Sequence, residues 1–292
     1  MSIDLAWIDG MTGGRLGEFD MPCPICSPLR RHANQRKPVL RVWRVDPGFA
    51  TYCCAHCAAS GHTRDVGIQV PDRAAIERAK AEAAERARLA AADRLDKALW
   101  LWRMRQPIGG TIAAAYLRQR GYDGSLPGTI GFLPGRGAHG PAMIAGFGLP
   151  LEIEPGRIRL PDDHLRGVHI TRLAADGLGK AGTDNDKVMV GLSAGWPIVL
   201  AAPNDLLGLA IAEGIEDGLS AHAFTGLGAW ASGGAKRLPP LADVIPGHVE
   251  AVRVMADADA DGVRFARILF DTIRGRVPDA RLVLPLAARE AA

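Results

Sequence analysis

The sequence predicts an α/β protein in which a C-terminal parallel sheet of βαβ units follows a small α+β region, a long helix and an N-terminal module with the cysteines. Three observations support this prediction. All five cysteines lie between Cys23 and Cys57. Alanine-rich sequence with acids and bases at helical spacing fills 71–105. From 205 to 292, strongly apolar runs alternate with helical stretches, which is typical of parallel strands covered on both faces.

The first region, 1–68, contains two C-x2-C pairs that are separated by 27 residues with short β-type runs. Two such turns supply the four thiolates of a tetrahedral zinc site. We therefore predict a zinc ribbon that binds one structural Zn²⁺ ion through Cys23, Cys26, Cys54 and Cys57. Buried or redox-active thiols are the alternative.

Three further side chains in this region could compete as zinc ligands. Cys53 is the odd cysteine, but only its neighbour Cys54 keeps the two-residue spacing to Cys57. His56 and His62 are expected to be ordinary surface histidines.

The stretch between the two cysteine pairs is strongly basic, with six arginine or lysine residues and one acid, Asp46. The net charge of the whole chain is only +3, so this local excess predicts a surface for single-stranded nucleic acid, with aromatic faces for unpaired bases. The candidate residues are Arg36, Lys37, Arg41, Trp43 and Arg44. A solvated basic loop without a ligand is the alternative.

The range 71–105 is predicted to be one helical linker. Pro71 suits the first turn of a helix, and alanine is the best helix former. The first half of this helix lacks large apolar residues and is expected to be exposed. Trp100 and Trp102 near its end must pack against another part of the protein.

The range 107–203 is predicted to be a middle α+β region with many turns, because glycine and proline separate short β-type runs. These runs are 142–146, 168–173, 188–190 and 198–201.

Acidic side chains follow two apolar runs of the C-terminal region, 205–292. Glu213 and Asp217 follow the first run, and Asp257, Asp259 and Asp261 follow the second. The carboxyl ends of parallel strands meet at one edge of a sheet, where α/β proteins place their sites. Converging carboxylates repel one another unless a divalent cation lies among them. We therefore predict an Mg²⁺ or Mn²⁺ site at these five residues and phosphoryl-transfer chemistry.

Some of these residues also have a purely local explanation. Asp217 and Asp261 suit the first turn of a helix, where an acidic side chain is favourable. Gly214 and Gly262 are expected to leave room for a phosphate or a metal ion near the backbone.

The pattern Glu213-Gly-x-x-Asp217 followed by Asp257-x-Asp259-x-x-Gly262 resembles the signature of the Toprim domain. This domain is shared by bacterial and phage primases, topoisomerases, nucleases and RecR recombination mediators. The resemblance implies that Glu213 is a general acid/base or metal-organising residue. It also implies that Asp257 and Asp259 bind the metal ion and that Asp217 assists.

A zinc ribbon, a middle region and a Toprim domain, in this order, resemble the arrangement of bacterial and phage primases. The stretch 168–187 resembles the segment that precedes Toprim in prophage and plasmid primase-like proteins. This implies that Arg172, Lys180 and Lys187 face template or nucleotide phosphates, with ordinary exposed cations as the alternative. Lys236, which follows a predicted strand, is a further phosphate-binding candidate.

The resemblance implies a DNA primase-like nucleotidyltransferase, a DNA-directed RNA polymerase that makes short RNA primers on single-stranded DNA for phage, plasmid or mobile-element replication. Its expected partners are single-stranded DNA, nucleoside triphosphates and a separate replicative helicase or replication protein. A Toprim nuclease and a non-catalytic, RecR-like DNA-binding accessory protein are the alternatives. A topoisomerase is disfavoured, because no tyrosine lies in a large gate-like region.

The composition is that of a globular protein, with 48% hydrophobic and 23% charged residues. No stretch approaches 18 consecutive apolar residues, and the first residues lack a basic-then-apolar signal. We therefore expect a cytoplasmic protein without a membrane segment.

Overall fold

The chain divides into two units, residues 1–89 and 90–292, which are described separately. The computed structural model describes residues 3–65, 73–137 and 139–285, with 73–76 described for the backbone only. The predicted boundaries at 68, 71 and 292 and the predicted role of Pro71 lie outside the described residues.

An antiparallel sheet of four strands forms the centre of the first unit. Its strands follow one another in chain order: β1 (Gly17–Met21), β2 (Leu40–Asp46), β3 (Phe49–Cys54) and β4 (Ser60–Arg64). Helix α1 (Leu5–Thr12) precedes the sheet, and the short 3₁₀ helices Ser27–Leu29 and His32–Asn34 lie between β1 and β2. Apolar side chains of α1 and of the strands form a small core together with three of the cysteines.

Helix α2 (Arg73–Arg103) has 31 residues, in agreement with the predicted long helix. Its first half is largely exposed, as expected, and its exposed charges form pairs at helical spacing, such as Lys80 with Glu77. Trp102 near its end is buried in the core of the second unit.

The middle region is an antiparallel sheet with the strand order β10-β9-β6-β5. Its strands are β5 (Ile130–Leu133), β6 (Ala142–Phe147), β9 (Gly167–Arg172) and β10 (Lys187–Gly191). The helix α3 (Ile112–Gln119) precedes this sheet, and β7 (Leu151–Glu154) and β8 (Arg157–Arg159) form a separate hairpin. The sequence predicted β6, β9 and β10 but neither α3 nor β5.

The two faces of the middle sheet cover different cores. Met143 and Phe147 of β6 pack with Ile198 and Ile215 of the C-terminal region. Ile144 of β6 and Val168 of β9 pack instead against Trp102 at the end of α2. The alternation of side chains along a strand therefore assigns each residue of this sheet to one of two environments.

The C-terminal sheet has the strand order β11-β13-β12-β14-β15. Its strands are β11 (Ile198–Ala201), β12 (Gly208–Ala212), β13 (Gly228–Ala231), β14 (Ala251–Met255) and β15 (Asp279–Val283). The pairs β12–β13, β12–β14 and β14–β15 are parallel, as predicted, whereas β11 is antiparallel to β13. The sheet thus begins at β11, which lies within the range predicted as the middle region.

Two helices connect the strands of this sheet. Helix α4 (Ile215–Thr225) follows β12, and α5 (Ala260–Ile273) follows β14. The 3₁₀ helices Ala235–Arg237 and Pro239–Val244 follow β13. In the described part of the chain, no helix combines the length and the hydropathy needed to cross a membrane.

Leu209→Ala is expected to lower the free energy of unfolding by about 2–5 kcal/mol, because the truncation leaves a cavity under β12. Leu209 is fully buried, whereas the matched control Leu206 is 79% exposed. Leu206→Ala should change the free energy by no more than about 0.5 kcal/mol. Urea denaturation followed by tryptophan fluorescence measures both. Equal midpoints for the two variants would contradict the burial of β12.

Candidate functional site

Four cysteine side chains of the first unit lie close enough to hold one metal ion. All four Sγ atoms lie within 4.8 Å of one another, with Cys23 Sγ 3.9 Å from Cys57 Sγ and Cys26 Sγ 3.7 Å from Cys54 Sγ. Thiolates bound to tetrahedral zinc at about 2.3 Å are about 3.8 Å apart. The cluster therefore fits a zinc ion, in agreement with the predicted zinc ribbon.

Strand geometry explains which cysteines enter the cluster. Cys23 and Cys26 follow β1, Cys54 ends β3, and Cys57 lies in the turn before β4. Cys53 precedes Cys54 on β3 and is exposed, since consecutive side chains of a strand point to opposite faces.

The thiols of the cluster have shifted pKa values. Burial raises the pKa of Cys26 to about 12, and the neighbouring cysteines add to this rise. Burial also acts on Cys54, but hydrogen bonds from backbone N–H groups of Cys57 and His56 outweigh it and lower the pKa of Cys54 to about 7.

Fewer basic side chains of this unit are free to contact a ligand in the structure than the sequence predicted. Arg44 is only 3% exposed, forms an ion pair of 2.7 Å with Asp9 and donates a hydrogen bond of 2.9 Å to the carbonyl oxygen of Asp46. Its guanidinium is therefore a structural group and is not available to a ligand in this structure.

The other candidates of this surface differ in their partners. Arg41 forms ion pairs with Glu18 at 2.9 Å and with Asp20 at 2.8 Å, so its charge is largely balanced. Arg36 and Lys37 are exposed, and neither side chain has a hydrogen bond or ion pair within the described residues. Trp43 is half-buried in β2.

In the second unit, two acidic groups lie at adjacent strand ends of the C-terminal sheet. Glu213 follows β12 directly, and Asp257 is the second residue after β14. The two strands are parallel neighbours, with Ile211 opposite Val254. Both carboxylates therefore emerge at the same edge, as the sequence predicted.

The pKa values of these two carboxylates are both raised. Burial raises the pKa of Glu213, and the charges of Asp257 and Asp259 raise it further. Burial likewise raises the pKa of Asp257, with further rises from Asp217 and Asp259. Carboxylate oxygens with unrelieved negative charge are the donors that Mg²⁺ prefers. Among the described residues, only the four cysteines have their ligand atoms close enough together to hold a metal ion, and the carboxylates do not form such a group.

The remaining acidic candidates have different environments. Asp259 is the N-cap of α5, and its Oδ1 accepts a hydrogen bond of 2.7 Å from the backbone N–H of Gly262. Asp217 and Asp261 are exposed in the first turns of α4 and α5. Asp217 and Asp261 thus lie in first helical turns, as their local explanation expects, whereas Asp259, which that explanation did not cover, is the capping residue of α5.

The two glycines of the motifs make room for the carboxylates themselves. A Cβ atom at Gly214 would lie 2.4 Å from Oδ2 of Asp217, and one at Gly262 would lie 2.7 Å from Cβ of Asp257. The expected space for a ligand near these glycines is thus filled by Asp217 and Asp257.

A buried pair beside this edge was not predicted. The hydroxyl of Tyr116 on α3 donates a hydrogen bond of 2.5 Å to Oε1 of Glu216 on α4, and Nζ of Lys180 lies 4.0 Å from the same oxygen. Burial alone would raise the pKa of Glu216, but the Tyr116 hydroxyl and Lys180 outweigh it and lower that pKa. The two partners are 100 residues apart, so no local pattern could identify them.

Two further groups from separate elements surround this pair. His169 of β9 is buried, and burial together with the charge of Lys187 lowers its pKa to about 4, so its ring is neutral. Arg237 donates a hydrogen bond of 2.8 Å to the carbonyl oxygen of Ser232, and its guanidinium lies 4.7 Å from the ring centre of Phe147.

The four basic candidates of this unit, Lys187, Lys180, Arg172 and Lys236, differ in their surroundings. Lys187 pairs with Thr171 in the register of β10 and β9, and its charge acts on Glu213, Asp257 and His169. Lys180 lies beside Glu216. The side chain of Arg172 points to the opposite face of β9 from Thr171. It therefore lies apart from the carboxylates, and its contact with template or nucleotide phosphates stays a prediction.

Lys236 is exposed in a three-residue 3₁₀ helix after β13. Such a turn lacks the aligned backbone dipoles of a longer helix. Phosphate binding by Lys236 stays a prediction.

Two family models match parts of the second unit. Residues 92–200 match the model of a domain of unknown function (DUF7146), and residues 208–291 match the model of the Toprim domain. No significant match is found among curated proteins or among solved structures. The C-terminal region is therefore a Toprim domain, a domain found in primases, nucleases and RecR.

Cys54→Ser is expected to lose the bound zinc and to unfold the first unit, because metal binding supplies folding free energy in such small modules. Zinc content per chain and hydrogen exchange in residues 3–65 measure the two effects. Cys53→Ser is the matched control, since this exposed neighbour lies outside the cluster, and it should keep one zinc ion per chain. Equal zinc contents of the two variants would contradict the ligand assignment.

Asp257→Asn is expected to raise the free energy of unfolding at about pH 7 without divalent cations and to remove stabilisation by Mg²⁺. The folded-state pKa of Asp257 is raised, so its charged form destabilises the fold, and this effect disappears as the pH falls through the raised pKa. Urea denaturation with and without MgCl₂ measures both effects.

Asp243→Asn is the control for this prediction, because Asp243 is exposed. Mg²⁺ should change the free energy of unfolding of this variant as it does that of the wild type. An equal Mg²⁺ response of Asp257→Asn and the wild type would exclude Asp257 as a ligand.

Proposed function

We propose that this protein is a DNA primase-like nucleotidyltransferase, which joins ribonucleotides into short primers on single-stranded DNA. One observation carries the proposal: the carboxylates of Glu213 and Asp257 lie at adjacent parallel strand ends of a Toprim domain, and burial and neighbouring acidic groups raise the pKa of both. Such a pair favours a divalent cation and the phosphate groups that accompany it.

The metal site of this proposal consists of Glu213, Asp217, Asp257 and Asp259. A bound Mg²⁺ or Mn²⁺ ion would supply positive charge that stabilises the reacting phosphate. Asp261, in the first turn of α5, has no described contact with the other carboxylates and is the weakest member of the predicted set.

Proton transfer in this proposal belongs to Glu213. A carboxylate whose pKa is raised towards neutrality is a better general base than an ordinary surface glutamate. Its backbone position is fixed, because the carbonyl oxygen of Glu213 accepts a hydrogen bond of 2.9 Å from the N–H of Gly233. Glu213 would accept the proton of the attacking 3′ hydroxyl.

Two lysines are suited to hold nucleotide phosphates beside the carboxylates. Lys187 is exposed and its side chain has no hydrogen bond or ion pair within the described residues, so its ammonium group is available to a phosphate. Lys180 is kept near the site by Glu216, which Tyr116 holds in place. His169 stays neutral and adds no competing charge.

The zinc-binding unit is proposed to bind the template strand. Arg36 and Lys37 lie exposed on a module that zinc would make rigid, and their charges are not balanced by described partners. Arg41 contributes less, because Glu18 and Asp20 neutralise it. We also propose that the protein acts in the cytoplasm with a separate helicase or replication protein of a phage, plasmid or mobile element.

The order of the parts favours a primase over the two alternatives. A four-cysteine cluster precedes the Toprim domain and is separated from it by a further folded region. RecR-like proteins have a more compact cysteine loop than the 27 residues between these pairs. A nuclease would use the same carboxylates, so activity must distinguish it.

Primer synthesis on single-stranded circular DNA with labelled ribonucleotides and Mg²⁺ tests the proposal. The wild type should yield short labelled oligomers, and Glu213→Gln should reduce the yield at least about 100-fold, as is typical of the loss of a general base. Glu250→Gln is the matched control, because Glu250 is exposed away from the edge, and it should retain activity.

The other outcomes of this experiment each replace the proposal. DNA cleavage without nucleotides, abolished by Glu213→Gln, identifies a nuclease. DNA binding without synthesis or cleavage, unchanged in Glu213→Gln, identifies a non-catalytic accessory protein.

A further inference from the structure

A cavity of about 330 Å³ lies on the face of the middle sheet that is turned away from the carboxylates. The end of α2 and strands β5, β6, β9 and β10 line it, and we name it the Trp100 cavity. Its lining includes Trp100, Met104, Leu133, Arg136, Ile170 and Arg172. Its volume is at the lower end of the range of about 300–1,000 Å³ for small-molecule sites.

Trp100 gives this cavity an accessible aromatic face. Its side chain is 60% exposed, whereas Trp102, two residues further along α2, is fully buried. A large aromatic side chain that remains exposed beside an apolar cavity offers a flat surface for stacking. Packing of α2 needs Trp102 but does not explain Trp100.

The charges around the cavity are all positive. Arg136 and Arg172 line it, and neither guanidinium makes a hydrogen bond or an ion pair within the described residues. No aspartate or glutamate is among the lining residues.

Two arginines near the end of α2 have partners, in contrast to the two arginines that line the cavity. Arg103 forms an ion pair of 2.6 Å with Asp162, and the guanidinium of Arg105 lies 3.5 Å from the ring centre of Trp102. Of these four arginines, the two without a described partner are those that line the Trp100 cavity. Apolar walls, a free aromatic face and unbalanced guanidinium groups match the parts of a nucleotide within a single strand: base and phosphate.

We propose that the Trp100 cavity binds one unpaired base of single-stranded nucleic acid. The base stacks on Trp100, and the phosphates on either side contact Arg136 and Arg172. This inference rests on the proposed function, since it assigns the template strand a second contact away from the carboxylates and the zinc-binding unit.

Binding of a fluorescein-labelled oligo(dT) to the full chain, measured by anisotropy without added Mg²⁺ or nucleotides, tests the proposal. Trp100→Ala should weaken binding at least about five-fold, through the loss of stacking. Trp100→Phe should retain most of the affinity. Arg136→Gln should lower the slope of log K against log salt by about 0.7, which corresponds to one lost phosphate contact.

Matched controls keep the interpretation specific. Phe224→Ala removes an aromatic side chain that is 93% exposed elsewhere in the same unit, and Arg118→Gln removes an exposed cation of α3. Both should bind as the wild type does. An oligonucleotide that carries abasic sites should bind the wild type and Trp100→Ala equally, because the base that stacks is missing.

Unchanged affinity of Trp100→Ala for oligo(dT) would overturn the proposal, as would an equal loss of affinity for the abasic strand. If Trp100→Ala instead alters only self-association in sedimentation, the cavity is a protein contact and the proposal is wrong. Primer synthesis at saturating template distinguishes the two hypotheses. If primers are made but Trp100→Ala binds oligo(dT) like the wild type, only the proposal for the Trp100 cavity is overturned. If Trp100→Ala weakens binding but the wild type makes no primers, only the proposed primase activity is overturned.

Discussion

The parallel pairing of β12 with β14 is the constraint on which the candidate site depends. Parallel neighbours end at the same edge, so the residues that follow them must share a small volume. Glu213 and Asp257 are there because of this register, and their mutual repulsion is a cost that the fold accepts. The buried strands on either side provide the apolar core that offsets this cost.

The same edge is completed by parts of the chain that belong to the middle region. Tyr116 reaches Glu216 from α3, and His169 and Lys187 come from a different sheet. Glu216 is buried where α3 packs against α4, and the Tyr116 hydroxyl supplies a hydrogen bond that a buried carboxylate needs. The region of unknown function is thus a physical part of the carboxylate site.

Local patterns made some of this site predictable. Each C-x2-C pair and each acidic group after an apolar run is a short motif that can be recognised in the sequence. The coordination of zinc explains the first motif, and the common edge of parallel strands explains the second. The burial of Arg44 depends on Asp9, which is 35 positions earlier in the chain, and a count of basic residues cannot show such a partner. The antiparallel direction of β11 was also missed, because an apolar run has the same pattern in either direction.

The two faces of strand β9 lie in chemically different environments. His169 and Thr171 face the carboxylate side, and Ile170 and Arg172 face the end of α2. A slip of one residue would send every one of these side chains to the wrong face. An insertion or deletion within β9 would therefore exchange the two environments, whereas the exposed residues 181–185, in the loop before β10, are where a change of length would disturb them least.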